Sequence, residues 1–139
     1  RLSLEPVASG TYDLLVLDAF SSDSIPAHLL TVEALADDAR VLRPGGLLAI
    51  HVSNRYYDLA PAGASAAGRA GLTVLQRVYQ PTPEDRGRGA SISHWLVATN
   101  VSSDLAELLA AGWEPVSAGV RPLTDDHPDL LRLLRPGTW

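Results

Sequence analysis

Asp18 ends a near-continuous apolar run, Leu14-Leu15-Val16-Leu17, and the chain breaks soon after into Ser21-Ser22-Asp23-Ser24. A buried parallel strand delivers a carboxylate to the open end of a sheet in this way, and ligands of open α/β sheets bind outside the carboxyl ends of the strands. A carboxylate held there is placed for general acid–base work. A second apolar run, Leu47 to Val52, carries His51 next to its own end and is broken by Ser53-Asn54-Arg55 at the same end of the sheet. The remaining candidates have plainer readings. Asp23 reads first as a turn residue or helix cap. His28, at a helix start, is structural, and His94, before Trp95 in a strand, is a paired residue of core or edge. His127 follows two acids, but no second His stands at metal-ligand spacing, so no metal site is expected. Asp125 and Asp126 either cap a terminal helix or close over the site.

Composition narrows the chemistry. The 139 residues contain no cysteine, which excludes disulfides, thiolate nucleophiles and Cys-type zinc sites. All 11 basic residues are Arg, and with no Lys there is no Schiff-base route. A formal net charge of −5 argues against a nucleic-acid module and suits a cationic small molecule, although acidic excess is most often solvated surface. No apolar run approaches the roughly 18–20 residues of a membrane span, and no secretory signal is visible, so a cytoplasmic setting is expected. The length fits a single domain.

The elements that must position these residues follow from periodicity. Leu14–Leu17 reads as a buried strand. Ser24 as cap and Pro26 in the first turn begin a helix over Pro26 to Leu42, stopped by Pro44-Gly45-Gly46. Leu47–Val52 is a second buried strand, so the unit is βαβ and its strands are parallel. A helix over Asp58–Ala70, a strand over Leu72–Tyr79, a flexible loop over Pro81–Gly89 and a strand over Ser93–Thr99 follow. Ser102 or Ser103 caps a short helix carrying Leu105, Leu108 and Leu109, and Gly112 ends it. His127 to Leu134 forms a last helical turn or two.

A strand ending in Asp, a helix, Leu42-Arg43-Pro44-Gly45-Gly46 and a second strand resemble the second half of a Rossmann-like S-adenosylmethionine-dependent methyltransferase fold. More narrowly, Tyr12-Asp13-Leu14-Leu15-Val16-Leu17-Asp18, Pro26-Ala27-His28-Leu29-Leu30-Thr31 and His51-Val52-Ser53-Asn54-Arg55-Tyr56 are similar to the spermidine synthase (polyamine aminopropyltransferase) family. The resemblance implies a mostly parallel α/β sheet whose first strands lie outside this sequence, residues 1–139 being the second half of a catalytic domain. It implies transfer of an aminopropyl group from decarboxylated S-adenosylmethionine to a diamine. The alternatives are a methyltransferase using S-adenosylmethionine itself, on an unidentified acceptor, and a non-catalytic remnant of the fold.

By the same resemblance Asp18 matches the catalytic aspartate, Asp23 stands in for a second acid that the family carries where this chain has Ser21, and His51 falls where a Gln commonly faces the polyamine. Pro26, Ala27 and Leu30 match one face of the adenine pocket, or are ordinary packing at a helix start. Without the glycine-rich turn that holds the donor, the 139 residues alone are expected to be inactive. The uncovered side of the Leu14–Leu17 strand is expected to meet a second copy or a missing neighbour, with membrane association only if the parent chain carries spans.

Overall fold

Strand β1 (Tyr12–Leu17) pairs in parallel with β2 (Leu42–His51), and helix α1 (Val32–Val41) connects them, as the apolar pattern predicts. The structure, a computed structural model, describes residues 4–19, 26–101, 105–117 and 119–136. Helix α1 begins later than expected. Residues Ala27–Leu29 form a tight 3-10 turn closed by Leu29 N–H on Pro26 O and Leu30 N–H on Ala27 O. The cap is therefore Thr31, whose Oγ1 accepts from Ala34 N–H at 3.2 Å; the expected cap at Ser24 falls outside the described residues. Asp125 does not cap a terminal helix through these contacts. Its carboxylate accepts from Thr31 Oγ1 at 2.7 Å, and its N–H donates to Glu33, tying the C-terminal segment to the start of α1.

Strand β2 leaves α1 without a loop. β1 advances from Tyr12 to Leu14 while β2 advances from Leu42 to Leu47, so Arg43–Gly46 bulges out of the ladder. Gly45 takes φ +76 in this bulge, a conformation that glycine adopts without strain. A Cβ on Gly46 would stand 2.9 Å from the carbonyl oxygen of Tyr12. Beyond the bulge the pairs are Leu14–Leu47, Leu15–Leu48, Val16–Ala49 and Leu17–Ile50, a register whose next step faces Asp18 with His51. Gly46→Ala is therefore expected to cost about 1–3 kcal/mol, the range for forcing a methyl into filled space, because the obstacle is backbone and cannot rotate away. A denaturant midpoint equal to that of the unaltered protein would show that β1 approaches less closely.

The expectation of a mostly parallel sheet is corrected. The strand order is β1-β2-β4-β3-β5, and of the four pairings only β1–β2 is parallel. Strand β4 (Ser93–Thr99) runs antiparallel to both β2 and β3 (Thr73–Tyr79), and β5 (Glu114–Pro115) antiparallel to β3. A parallel return needs a crossover element, usually a helix packed on the sheet. The β3–β4 connection holds only α3 (Pro83–Gly87), with no buried residue, so the chain doubles back as a hairpin.

That connection is also more ordered than its composition suggests. Thr82 and Asp85 form a reciprocal capping box at the start of α3, and Tyr79 donates to the same carboxylate at 2.9 Å. Hydrogen bonds from Thr82, then from Tyr79, hold the Asp85 carboxyl below its usual range, and the bond to Asp85 pushes the Tyr79 phenol up. Asp85→Ala is expected to let Tyr79 ionise at lower pH. A near-ultraviolet absorbance titration reads this directly, and an unmoved curve would contradict the contact.

Helices α1 and α2 (Ala60–Arg69) cover one face of the sheet, where Leu30, Leu35, Leu48, Ile50 and Leu96 are fully buried. The other face holds a smaller cluster, Leu75, Val97 and Leu105 with Trp113, beside the short α4 (Ala106–Ala110). The alternating side chains of β1 on that second face stay open, Leu14 at 55% and Val16 at 50% exposure. β1 is thus a half-covered edge strand among the described residues, where the apolar run alone predicts a buried one. Among those residues no helix is long and apolar enough to cross a membrane. The last expected helix reduces to a 3-10 turn at Leu131–Leu133.

Candidate functional site

The register places one row of side chains across the end of the open face. Asp18 directly follows β1, His51 ends β2, and Trp95 lies directly opposite His51 on β4. Asp18 Oδ1 stands 2.7 Å from His51 Nδ1, with the carboxylate 60% exposed and the imidazole 21% exposed. The His51 ring stacks on Trp95, centroids 4.6 Å apart and planes 17° from parallel. On its far side His51 Nε2 lies 2.6 Å from Ser53 Oγ, and Ser53 Oγ accepts from the backbone N–H of His94 at 2.7 Å.

An ionised carboxylate only accepts, so the ring nitrogen facing it carries a hydrogen. With the ring neutral, Nε2 accepts from the Ser53 hydroxyl, whose oxygen takes the His94 amide; with the ring protonated, Nε2 donates to Ser53 Oγ instead. Ser53 also has a structural duty: its oxygen supplies β4 with an acceptor at the point where β2 leaves the ladder. Connectivity of Asp, His and Ser is that of a nucleophilic triad, but this serine oxygen already holds a backbone donor and a ring. It is better suited to pass a proton than to attack.

Behind this cluster lies a cavity of about 830 Å³, walled by His51, Ser53, Arg55, Asp58, His94 and Arg135 among others. The loop after β2 shapes it. Asn54 Oδ1 accepts from the N–H groups of Tyr56 and Tyr57, both at 2.9 Å, turning the chain back on itself. Arg135 donates to Tyr57 O at 3.1 Å and approaches Asp58 at 3.8 Å, closing the C-terminal segment against that loop. His94 meets the Gln76 side-chain oxygen at 3.0 Å, and burial pushes its imidazole below the ordinary range. It is a paired neutral residue, as its place in the strand suggests.

Of the residues singled out from sequence, the structure brings Asp18 and His51 into contact. Asp23 lies outside the described residues. Pro26 and Ala27 sit half-buried at the 3-10 turn, while Leu30 is fully buried in the main core, so of these three only the first two present surface to a ligand. Ser53 and Trp95 were not singled out for the site. Both had a signal: Ser53 is two residues beyond His51 in extended chain and so shares its face, and Trp95 is an aromatic near the start of the strand that pairs with β2. Among the described residues no group of three or more His, Cys, Asp or Glu could hold a metal ion.

Fold and cluster together define an α/β protein with a mixed five-stranded sheet and an acid–imidazole pair at adjacent strand ends. Among solved structures the chain is similar to a probable spermidine synthase from Corynebacterium glutamicum ATCC 13032, with a TM-score of 0.58 and 19% identity over 90% of this chain and 51% of that one. At that identity the likeness is one of fold, and the chain spans about half the length of that structure. No family model and no curated protein matches the sequence.

Proposed function

We propose that this chain supplies the acceptor side of a sulfonium-dependent alkyl transfer to an amine, of the aminopropyl type, with decarboxylated S-adenosylmethionine as donor. The observation that carries the reading is the Asp18–His51 pair, 2.7 Å apart at the ends of adjacent parallel strands and beside a cavity that His51, Ser53 and Asp58 help to wall. With His51 neutral the pair holds one negative charge, which attracts an ammonium group. The amine must lose a proton before it can attack carbon, and the pair offers a place for it. The half-buried surface of Pro26 and Ala27 is the part of this chain that would meet the adenine of the donor. The fold likeness to a probable spermidine synthase supports the same reading.

Isothermal titration of the full-length protein with the decarboxylated and the ordinary donor tests it. Tighter binding of the decarboxylated form is expected. Preference for S-adenosylmethionine itself would assign a methyltransferase, and binding of neither would leave a scaffold without this chemistry.

A further inference from the structure

We propose that His51, through the Ser53 hydroxyl, is the base of this reaction, and that Asp18 is the residue that positions it. The inference rests on the transfer reading above and reverses the roles that a lone strand-end carboxylate suggests. Three observations carry it. His51 and Ser53 line the 830 Å³ cavity, whereas the described lining does not include Asp18. The groups form one line of contacts: the His94 amide donates to Ser53 Oγ, Ser53 Oγ lies 2.6 Å from His51 Nε2, and His51 Nδ1 lies 2.7 Å from Asp18 Oδ1, so that with a neutral ring and an ionised carboxylate every donor points toward Asp18. The ring cannot swing away, being held at both nitrogens and stacked on Trp95.

An imidazole is the side chain matched to proton transfer near neutral pH, and a carboxylate bonded to its other nitrogen fixes the tautomer and stabilises the imidazolium. The step balances. An ammonium group in the cavity gives a proton to Ser53 Oγ as the serine's own proton passes to His51 Nε2. The neutral amine then attacks the carbon next to the sulfonium sulfur. A nitrogen–carbon bond forms, the carbon–sulfur bond breaks, and its electron pair stays on sulfur, leaving a thioether. The proton rests on His51 until water removes it. Asp18 stays ionised throughout. Both ring N–H groups of the imidazolium keep an acceptor, Asp18 on one side and Ser53 on the other, and the Trp95 face lies against the cationic ring. Among the described residues the charged or titratable neighbours around the ring are Asp18 from the end of β1, His94 from β4, Arg77 of β3 opposite Trp95, and Arg55, Asp58 and Arg135 across the cavity.

The test reads the ring before it reads the rate. In nitrogen-15 spectra of the full-length protein without substrate, His51 is expected as the Nδ1–H tautomer, and Asp18→Asn is expected to turn it to Nε2–H, since the amide then donates. An Nε2–H ring in the unaltered protein would overturn the proposal. In the transfer assay His51→Ala is expected to lose about 10²–10⁴-fold, with part of the loss restored by added imidazole. Ser53→Ala should lower turnover while the ring keeps its tautomer. Full turnover by His51→Ala with none by Asp18→Asn would make Asp18 the base and overturn the assignment. If neither donor binds, the transfer reading itself falls, and the ring spectra, which need no substrate, separate that failure from failure of the hydrogen-bond chain.

Discussion

Asp18→Asn is expected to lower the transfer rate of the full-length protein by about 10²–10⁴-fold, the usual worth of a general acid–base arrangement, while leaving its stability within about 0.5 kcal/mol. The two halves of that result come from one fact. Asp18 is 60% exposed at the end of an edge strand, and among the described residues its side chain contacts His51. Little of the fold leans on it, so an isosteric amide costs little. The chemistry leans on it in two ways. Removing the charge takes away the carboxylate of the pair that attracts an ammonium group, and the amide's N–H reverses the direction of the bond to His51. Nε2 then carries the hydrogen and no longer accepts from Ser53. Rate and thermal midpoint measured on the same preparation check both halves. A variant that transfers as fast as the unaltered protein would remove Asp18 from the chemistry. One that fails to fold would show a structural role that its exposure does not suggest.

The pair at the centre of the site was legible because each member stands at or next to the end of an apolar run, and a strand end is readable from one strand at a time. Their contact was implicit in the βαβ reading, which makes β1 and β2 parallel neighbours and brings both ends to the same edge of the sheet. Features that depend on a third strand were less accessible. Trp95 reaches His51 only because β4 inserts between β2 and β3 and runs antiparallel to both, and neither order nor direction is written in the period-2 pattern of β4 itself. The same limit produced the parallel-sheet expectation. The exposure of Leu14 and Val16 was hidden for a related reason: an apolar run looks alike whether one face or two are covered. Local chemistry misled at two points. Pro26 reads as a helix start, yet the turn it opens closes as 3-10 and hands the cap to Thr31. Glycine and proline in Pro81–Gly89 read as a loop, yet Thr82 and Asp85 stand three apart, the spacing of a capping box.

Leu96→Ala is expected to cost about 2–5 kcal/mol, and Gly63→Ala is expected to recover part of that loss although it helps little on its own. Leu96 is fully buried in β4, pairs with Ile50 of β2, and is the residue that α2 approaches most closely at Gly63. A Cβ on Gly63 would stand 3.0 Å from Leu96 Cδ1 and 3.7 Å from Leu30 Cδ2. In the unaltered protein that methyl would have to push the leucine aside, offsetting the gain of about 1 kcal/mol that alanine brings to a helix interior. Once Leu96 is truncated, the obstruction is gone and the methyl lines the space it left. The two changes should therefore be non-additive, with a favourable coupling of about 0.5–3 kcal/mol in a double-mutant cycle from urea midpoints. Additivity within about 0.3–0.5 kcal/mol would mean that α2 does not rest on β4 at this point. The coupling also bears on the site, because the Ile50–Leu96 pair is the rung next to His51–Trp95. If α2 and β4 are keyed together at Gly63, loosening that contact should blur the single tautomer of His51 in Leu96→Ala, and Gly63→Ala should sharpen it again.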